Sequence, residues 1–172
     1  MNRDIKRMMY ITMLIAMSVL LHLVESMIPI PLPIPGIKLG FANVVGLITY
    51  FLFGFKTMVG VNLSRVLLAS LLHGTLFGTP FYMSLAGVSV STCMVGIVGK
   101  ILGSKKCLVV SVASAITHII GQIIMAFFIM NTTMIFYYFP ILLFFSIPTG
   151  VFTGMIATQV LQRIQYSFRR EL

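Results

Sequence analysis

Residues 25–43 read E-S-M-I-P-I-P-L-P-I-P-G-I-K-L-G-F-A-N, and the rest of the chain is read outward from them. The stretch joins two apolar runs, yet it holds Pro29, Pro31, Pro33 and Pro35 together with Glu25 and Lys38. Each proline fixes φ and removes a backbone donor, and each turns the residue before it toward extended geometry. No helix runs through that alternation. The expected form is a stiff, polyproline-like strap at a membrane edge, released at Gly36 into a helix that carries Gly40 and Asn43.

The composition on either side agrees with a membrane setting. Of 172 residues, 59% are hydrophobic and 9% charged, against roughly 25% charged in soluble domains. The length suits one domain, residues 1–172. A net charge of +9 raises nucleic acid as a partner, but the basic residues are not interleaved with aromatics on one polar surface. They lie between and outside the apolar runs, which excludes that class. Cys93 and Cys107 are too far apart for a metal pair, and no histidine spacing completes a zinc site. No metal or cofactor is expected, and Cys93 reads as a small packing residue. The basic start M-N-R-D-I-K-R precedes about twenty apolar residues with no A-x-A site after them, so it reads as a retained first helix.

A spanning helix needs about 20 apolar residues. The expected spans are Met8 to Ile28, Gly40 to Gly54, Met58 to Phe77, Phe81 to Leu102, Cys107 to Met130 and Met134 to Ile164. The second is short, and Pro140 and Pro148 interrupt the early part of the sixth. The fold class is therefore all-α: a polytopic bundle of six transmembrane helices. Arg3, Lys6, Arg7, Lys56, Lys100, Lys105, Lys106, Arg163, Arg169 and Arg170 gather on the face shared by the termini. By the positive-inside rule both termini are expected in the cytoplasm of a plasma-membrane protein.

Ionisable groups inside a span cost roughly 2.5–3.5 kcal/mol at a helix centre and usually face the bundle interior. Glu25 ends helix 1, with His22 a turn before it; Arg65 lies mid-way along helix 3, with His73 further out. His118 and Gln122 share a face of helix 5. Asn43 opens helix 2, Ser84 begins helix 4, and Tyr137 and Tyr138 lead into helix 6. Most of these fall in the outer half of the bilayer, which favours a pocket there lined by Glu25, Lys38, Asn43, Arg65, Ser84, His118, Gln122 and Tyr137. Plainer readings stand beside this one. The tyrosines suit an interfacial belt, His22 and His73 suit the headgroup level, and Glu25 suits a structural pairing with Lys38 or Arg65.

Small residues permit close helix contact. Gly150 and Gly154 form a G-x-x-x-G that suits packing inside the monomer. Thr12 and Ala16, four apart on helix 1, make a smooth stripe that suits either internal packing or a partner helix.

E-S-M-I-P followed by P-G-I-K-L-G-F-A-N, with R-V-L-L-A-S-L-L-H-G around Arg65, S-L-A-G at 84–87, A-I-T-H-I-I-G-Q at 115–122 and F-Y-Y-F-P at 136–140, resembles the Gx transporter family. That family is labelled heptaprenyl diphosphate synthase component I. It is similar to the S components of energy-coupling-factor transporters, six-helix proteins with cytoplasmic termini and a vitamin-sized site beneath the first loop. The resemblance implies docking of helix 1 on a coupling membrane subunit through an alanine pair, in which Thr12 replaces the first alanine. It also implies separate cytoplasmic ATPases.

Two functions follow. One is a substrate-binding membrane subunit of such an uptake transporter, taking a small vitamin- or cofactor-like molecule. The other is an accessory membrane subunit of isoprenoid-quinone or flavin-linked redox assembly. An enzyme is not expected. Prenyl transfer needs Mg²⁺ on clustered carboxylates, and the chain has one aspartate, Asp4, and two distant glutamates. It has no P-loop.

Overall fold

The computed structural model describes residues 3–27, 40 and 42–170. The proline strap, with Lys38, lies outside the described residues. Six α-helices follow in order: α1 (Arg3–Met27), α2 (Asn43–Phe53), α3 (Phe55–Leu72), α4 (Thr79–Leu102), α5 (Cys107–Met130) and α6 (Phe139–Arg170). Short 3₁₀ turns at Ser104–Lys106 and Thr133–Tyr138 precede α5 and α6. No strand occurs among the described residues.

Among the described residues five helices are long and apolar enough to cross a membrane; α2 is not. Its 11 residues rise about 16 Å, against a hydrocarbon core of about 30 Å. Six helices are present as expected, five of them of spanning length and α2 of half that length. Gly40, Phe41 and Ala42 extended the apolar run in sequence, but the helix itself begins at Asn43. The Asn43 N–H donates to the Gly40 carbonyl at 2.9 Å, and Gly40 has a φ of 89°. That left-handed backbone suits glycine.

Close helix approach is built on small residues. A Cβ at Gly121 would stand 2.8 Å from the Ala86 carbonyl oxygen and 3.0 Å from the Gly87 Cα, so α4 and α5 cross there nearly backbone to backbone. Gly150 and Gly154 face Val112 and Leu108 in the same way. The G-x-x-x-G therefore packs α6 on α5 inside the monomer. A hydrogen bond of 2.9 Å between the Ser111 and Thr153 hydroxyls joins the same pair.

Pro148 does not interrupt α6, which is continuous to Arg170. Ser146 donates to the Leu143 carbonyl at 2.8 Å, and Thr149 donates to the carbonyls of Phe145 and Ser146 at 3.0 Å. Side-chain hydroxyls thus serve the carbonyls around the proline, as they do in membrane helices. Pro140 stands in the first turn, where a missing N–H costs nothing.

The core beneath α2 gathers Val45, Leu47, Ile48, Met58, Val95, Val110, Ala157 and Leu161. Cys107 is buried in it, whereas Cys93 is exposed and packs nothing in the core, contrary to expectation.

Candidate functional site

Five helices bring polar side chains to one place. Glu25 and His22 from the end of α1, Asn43 from the start of α2, Arg65 from α3, Ser84 from α4 and His118 from α5 line a single cavity with Gly40. Five of these six side chains are buried, Arg65 to 1% exposure; Asn43 is half-buried. The cavity measures about 10 Å³, the room that one water takes.

The cluster is wired by few but specific bonds. The Gly40 N–H donates to Glu25 Oε1, tying the start of the α2 segment to α1. Arg65 Nη2 donates to Asn43 Oδ1 at 3.0 Å. The Glu25 carboxylate also acts electrostatically on the Arg65 guanidinium. Arg65 Nε and Asn43 Nδ2 are buried without a hydrogen-bond partner among the described residues. Both are donors. A buried orphan donor costs about 1–3 kcal/mol, so the site is short of an acceptor.

Glycines let these side chains approach. A Cβ at Gly40 would meet Asn43 Nδ2 at 2.8 Å, and one at Gly87 would meet Gln122 Cγ at 2.8 Å and His118 Cε1 at 2.9 Å. Below the cluster, Asn62 on α3 donates to Thr92 on α4 at 2.8 Å.

Of the eight expected site residues, Glu25, Asn43, Arg65, Ser84 and His118 share the cavity. Gln122 is fully buried one turn beyond His118, against Gly87, and does not line it. Tyr137 does not line the cavity; it is 81% exposed in the turn before α6. His22, outside the expected set, is buried and lines the cavity, and its position one turn before Glu25 was the available signal. His73 is exposed, with Nε2 2.6 Å from Ser26 Oγ. Asn62 carried no sequence signal, since its partner Thr92 is thirty residues away.

No group of three or more metal-ligating side chains occurs among the described residues. Thr12 and Ala16 are both exposed on α1, and Thr12 donates to the Met8 carbonyl at 3.0 Å.

A second, larger space opens between α1, α2 and α6. It holds about 1180 Å³ and is walled almost entirely by apolar side chains, from Glu25 near one end to Arg163 at the other.

The family model for heptaprenyl diphosphate synthase component I matches residues 14–160. The chain belongs to that family. The match takes in every residue of the polar cluster and nearly all of the α1–α2–α6 space. No curated protein and no solved structure matches the chain. The family's description names a component of a synthase; it does not assign catalysis to this component.

Proposed function

We propose that the chain is the substrate-binding membrane subunit of an energy-coupling-factor-type uptake transporter, with ATP hydrolysis supplied by separate cytoplasmic subunits. The observation that supports this reading is the buried cluster of Glu25, Asn43, Arg65, Ser84 and His118, where two buried donors have no acceptor among the described residues. Such a site suits a small molecule bearing a carboxylate, phosphate or carbonyl group, which would complete Arg65 and Asn43. Gln122 holds the His118 turn from behind.

Binding sites for vitamin-sized molecules occupy about 300–1,000 Å³, far more than the cavity here. Capture therefore requires α1 and the Gly40 segment to part, releasing the bond between Gly40 and Glu25. In this reading both termini are cytoplasmic, the cluster opens outward, and the exposed Thr12/Ala16 stripe meets the coupling membrane subunit.

A second reading is favoured by the family's description: an accessory membrane subunit for an isoprenoid diphosphate synthase. Copurification separates the two. Recovery with cytoplasmic ATPases, and a small molecule retained in native mass spectrometry of the purified chain, is the expected result. Recovery with a soluble prenyl synthase and stimulation of its turnover, with no retained small molecule, would replace the first reading by the second.

A further inference from the structure

Helix α2 begins inside the bundle. Arg65, which donates to Asn43, lies ten residues from the start of α3 at Phe55 and seven from its end at Leu72, about 15 Å and 10 Å along the axis. The first turn of α2 therefore opens deep within the span of α3. There its N–H groups without helical partners, and the partial positive charge of the helix end, face protein rather than water. Negative charge is held more strongly in so dry a place than at a surface.

The α2 sequence does not supply that charge. Its first turn holds no acidic residue, and Ala42 before it makes no side-chain cap. The anion comes from another helix. Glu25 of α1 accepts from the Gly40 N–H and acts electrostatically on the Arg65 guanidinium. One carboxylate does not satisfy the place. Arg65 Nε, on a side chain only 1% exposed, and Asn43 Nδ2 have no acceptor among the described residues, and both residues line the cavity with Glu25. The helix end, the guanidinium and the two donors point to the same kind of group.

The sign of the charge decides what can enter. A cation that reached Glu25 would take the carboxylate from Arg65 and leave the guanidinium buried without a counter-charge, which is strongly destabilising. An anion in the place of Glu25 keeps Arg65 paired and reaches the two remaining donors as well. A planar carboxylate matches the guanidinium fork. Glu25 stands two residues from the end of α1, so an outward turn of the last helical turn carries it away. We infer that Arg65 and the α2 N-terminus form a carboxylate site which Glu25 fills in the closed chain, and that the captured molecule is an organic anion whose carboxylate takes the place of Glu25. This rests on the uptake reading and narrows it: Glu25 competes with the captured molecule instead of binding it.

Acetate is the probe, because Glu25→Ala removes a CH₂–COO⁻ group of nearly its size. The purified full-length chain is titrated with sodium acetate, with sodium chloride at equal ionic strength, with acetamide and with ethylammonium, and the unfolding midpoint is read. Acetate should raise the midpoint of Glu25→Ala and bind it at least about tenfold more tightly than wild type. Glu25→Gln, which keeps an acceptor for the Gly40 N–H, should show the same gain over wild type and serves if Glu25→Ala does not fold. Arg65→Gln added to either variant should abolish the response. Equal stabilisation by chloride or acetamide, stabilisation by ethylammonium, equal acetate affinity in wild type and the Glu25 variants, or no response to acetate would overturn the assignment. The uptake reading fails separately. An acetate response with nothing retained from a cell metabolite extract would remove uptake and leave the carboxylate site, whereas retention of a cationic or neutral molecule would leave uptake and overturn this inference.

Discussion

Helices α1 and α2 border two spaces of opposite character. Toward α3, α4 and α5 they close on Arg65, with polar side chains from five helices around about 10 Å³. Toward α6 they leave about 1180 Å³ walled by methionine, leucine, isoleucine and valine. The difference follows from what holds each side together. Polar groups in a bilayer have no water to turn to, so those of the cluster draw the helices together. Apolar walls gain nothing from closing, because lipid is as apolar as leucine. In this bundle the tight space is where recognition can be specific.

The contrast predicts unequal costs of substitution. The largest is expected at Glu25→Ala, which leaves the Arg65 charge buried without its counter-charge; losses of about 3–5 kcal/mol are typical of such changes. Thermal unfolding in detergent measures it, and a loss under about 1 kcal/mol would mean that Arg65 is solvated and the cluster is not sealed. Gly121→Val comes next. Its new Cβ meets backbone atoms of Ala86 and Gly87, and overpacking of this kind costs about 1–3 kcal/mol. The same unfolding assay checks it, together with the yield of folded monomer. Asn62→Ala removes the bond to Thr92 for about 1 kcal/mol. The smallest change is expected on the wall of the α1–α2–α6 space. Met17→Leu, at a side chain 58% exposed, should stay within about 0.5 kcal/mol. A loss at Met17 equal to that at Asn62 would erase the distinction between the two spaces.

Much of this arrangement was legible in the sequence, for definite reasons. Length and hydropathy placed α5 at Cys107–Met130, as observed, and the other long helices within a few residues. The polar cluster was legible because charged and amide groups are rare in this chain, so Glu25, Arg65 and His118 each had to face inward. The half-length of α2 was hidden, since nothing in the apolar run marks Asn43 as the first residue of the helix. Pro148 misled because α6 stays continuous through it, with Ser146 and Thr149 donating to nearby carbonyls. The α1–α2–α6 space was invisible: its walls are ordinary apolar residues, and only the spacing of α1 from α6 distinguishes it from packed core.

The side of the membrane is open to a separate check. With the native cysteines replaced, a cysteine at Ser104, which is exposed, should be shielded from an impermeant thiol reagent in intact cells. Labelling from outside would reverse the orientation and place the cluster toward the cytoplasm.

The central claim is that Arg65 and its neighbours bind a small molecule. The most direct measurement is the amount of small molecule retained by the purified chain in native mass spectrometry, compared across wild type, Arg65→Gln and Arg163→Glu after exposure to a cell metabolite extract. Wild type and Arg163→Glu should retain the same molecule, and Arg65→Gln at least tenfold less, about 1.4 kcal/mol, with its folded yield kept. Retention by Arg65→Gln equal to wild type, alongside easier unfolding, would contradict the claim and leave Arg65 as a structural tie. Retention by none of the three would contradict it as well.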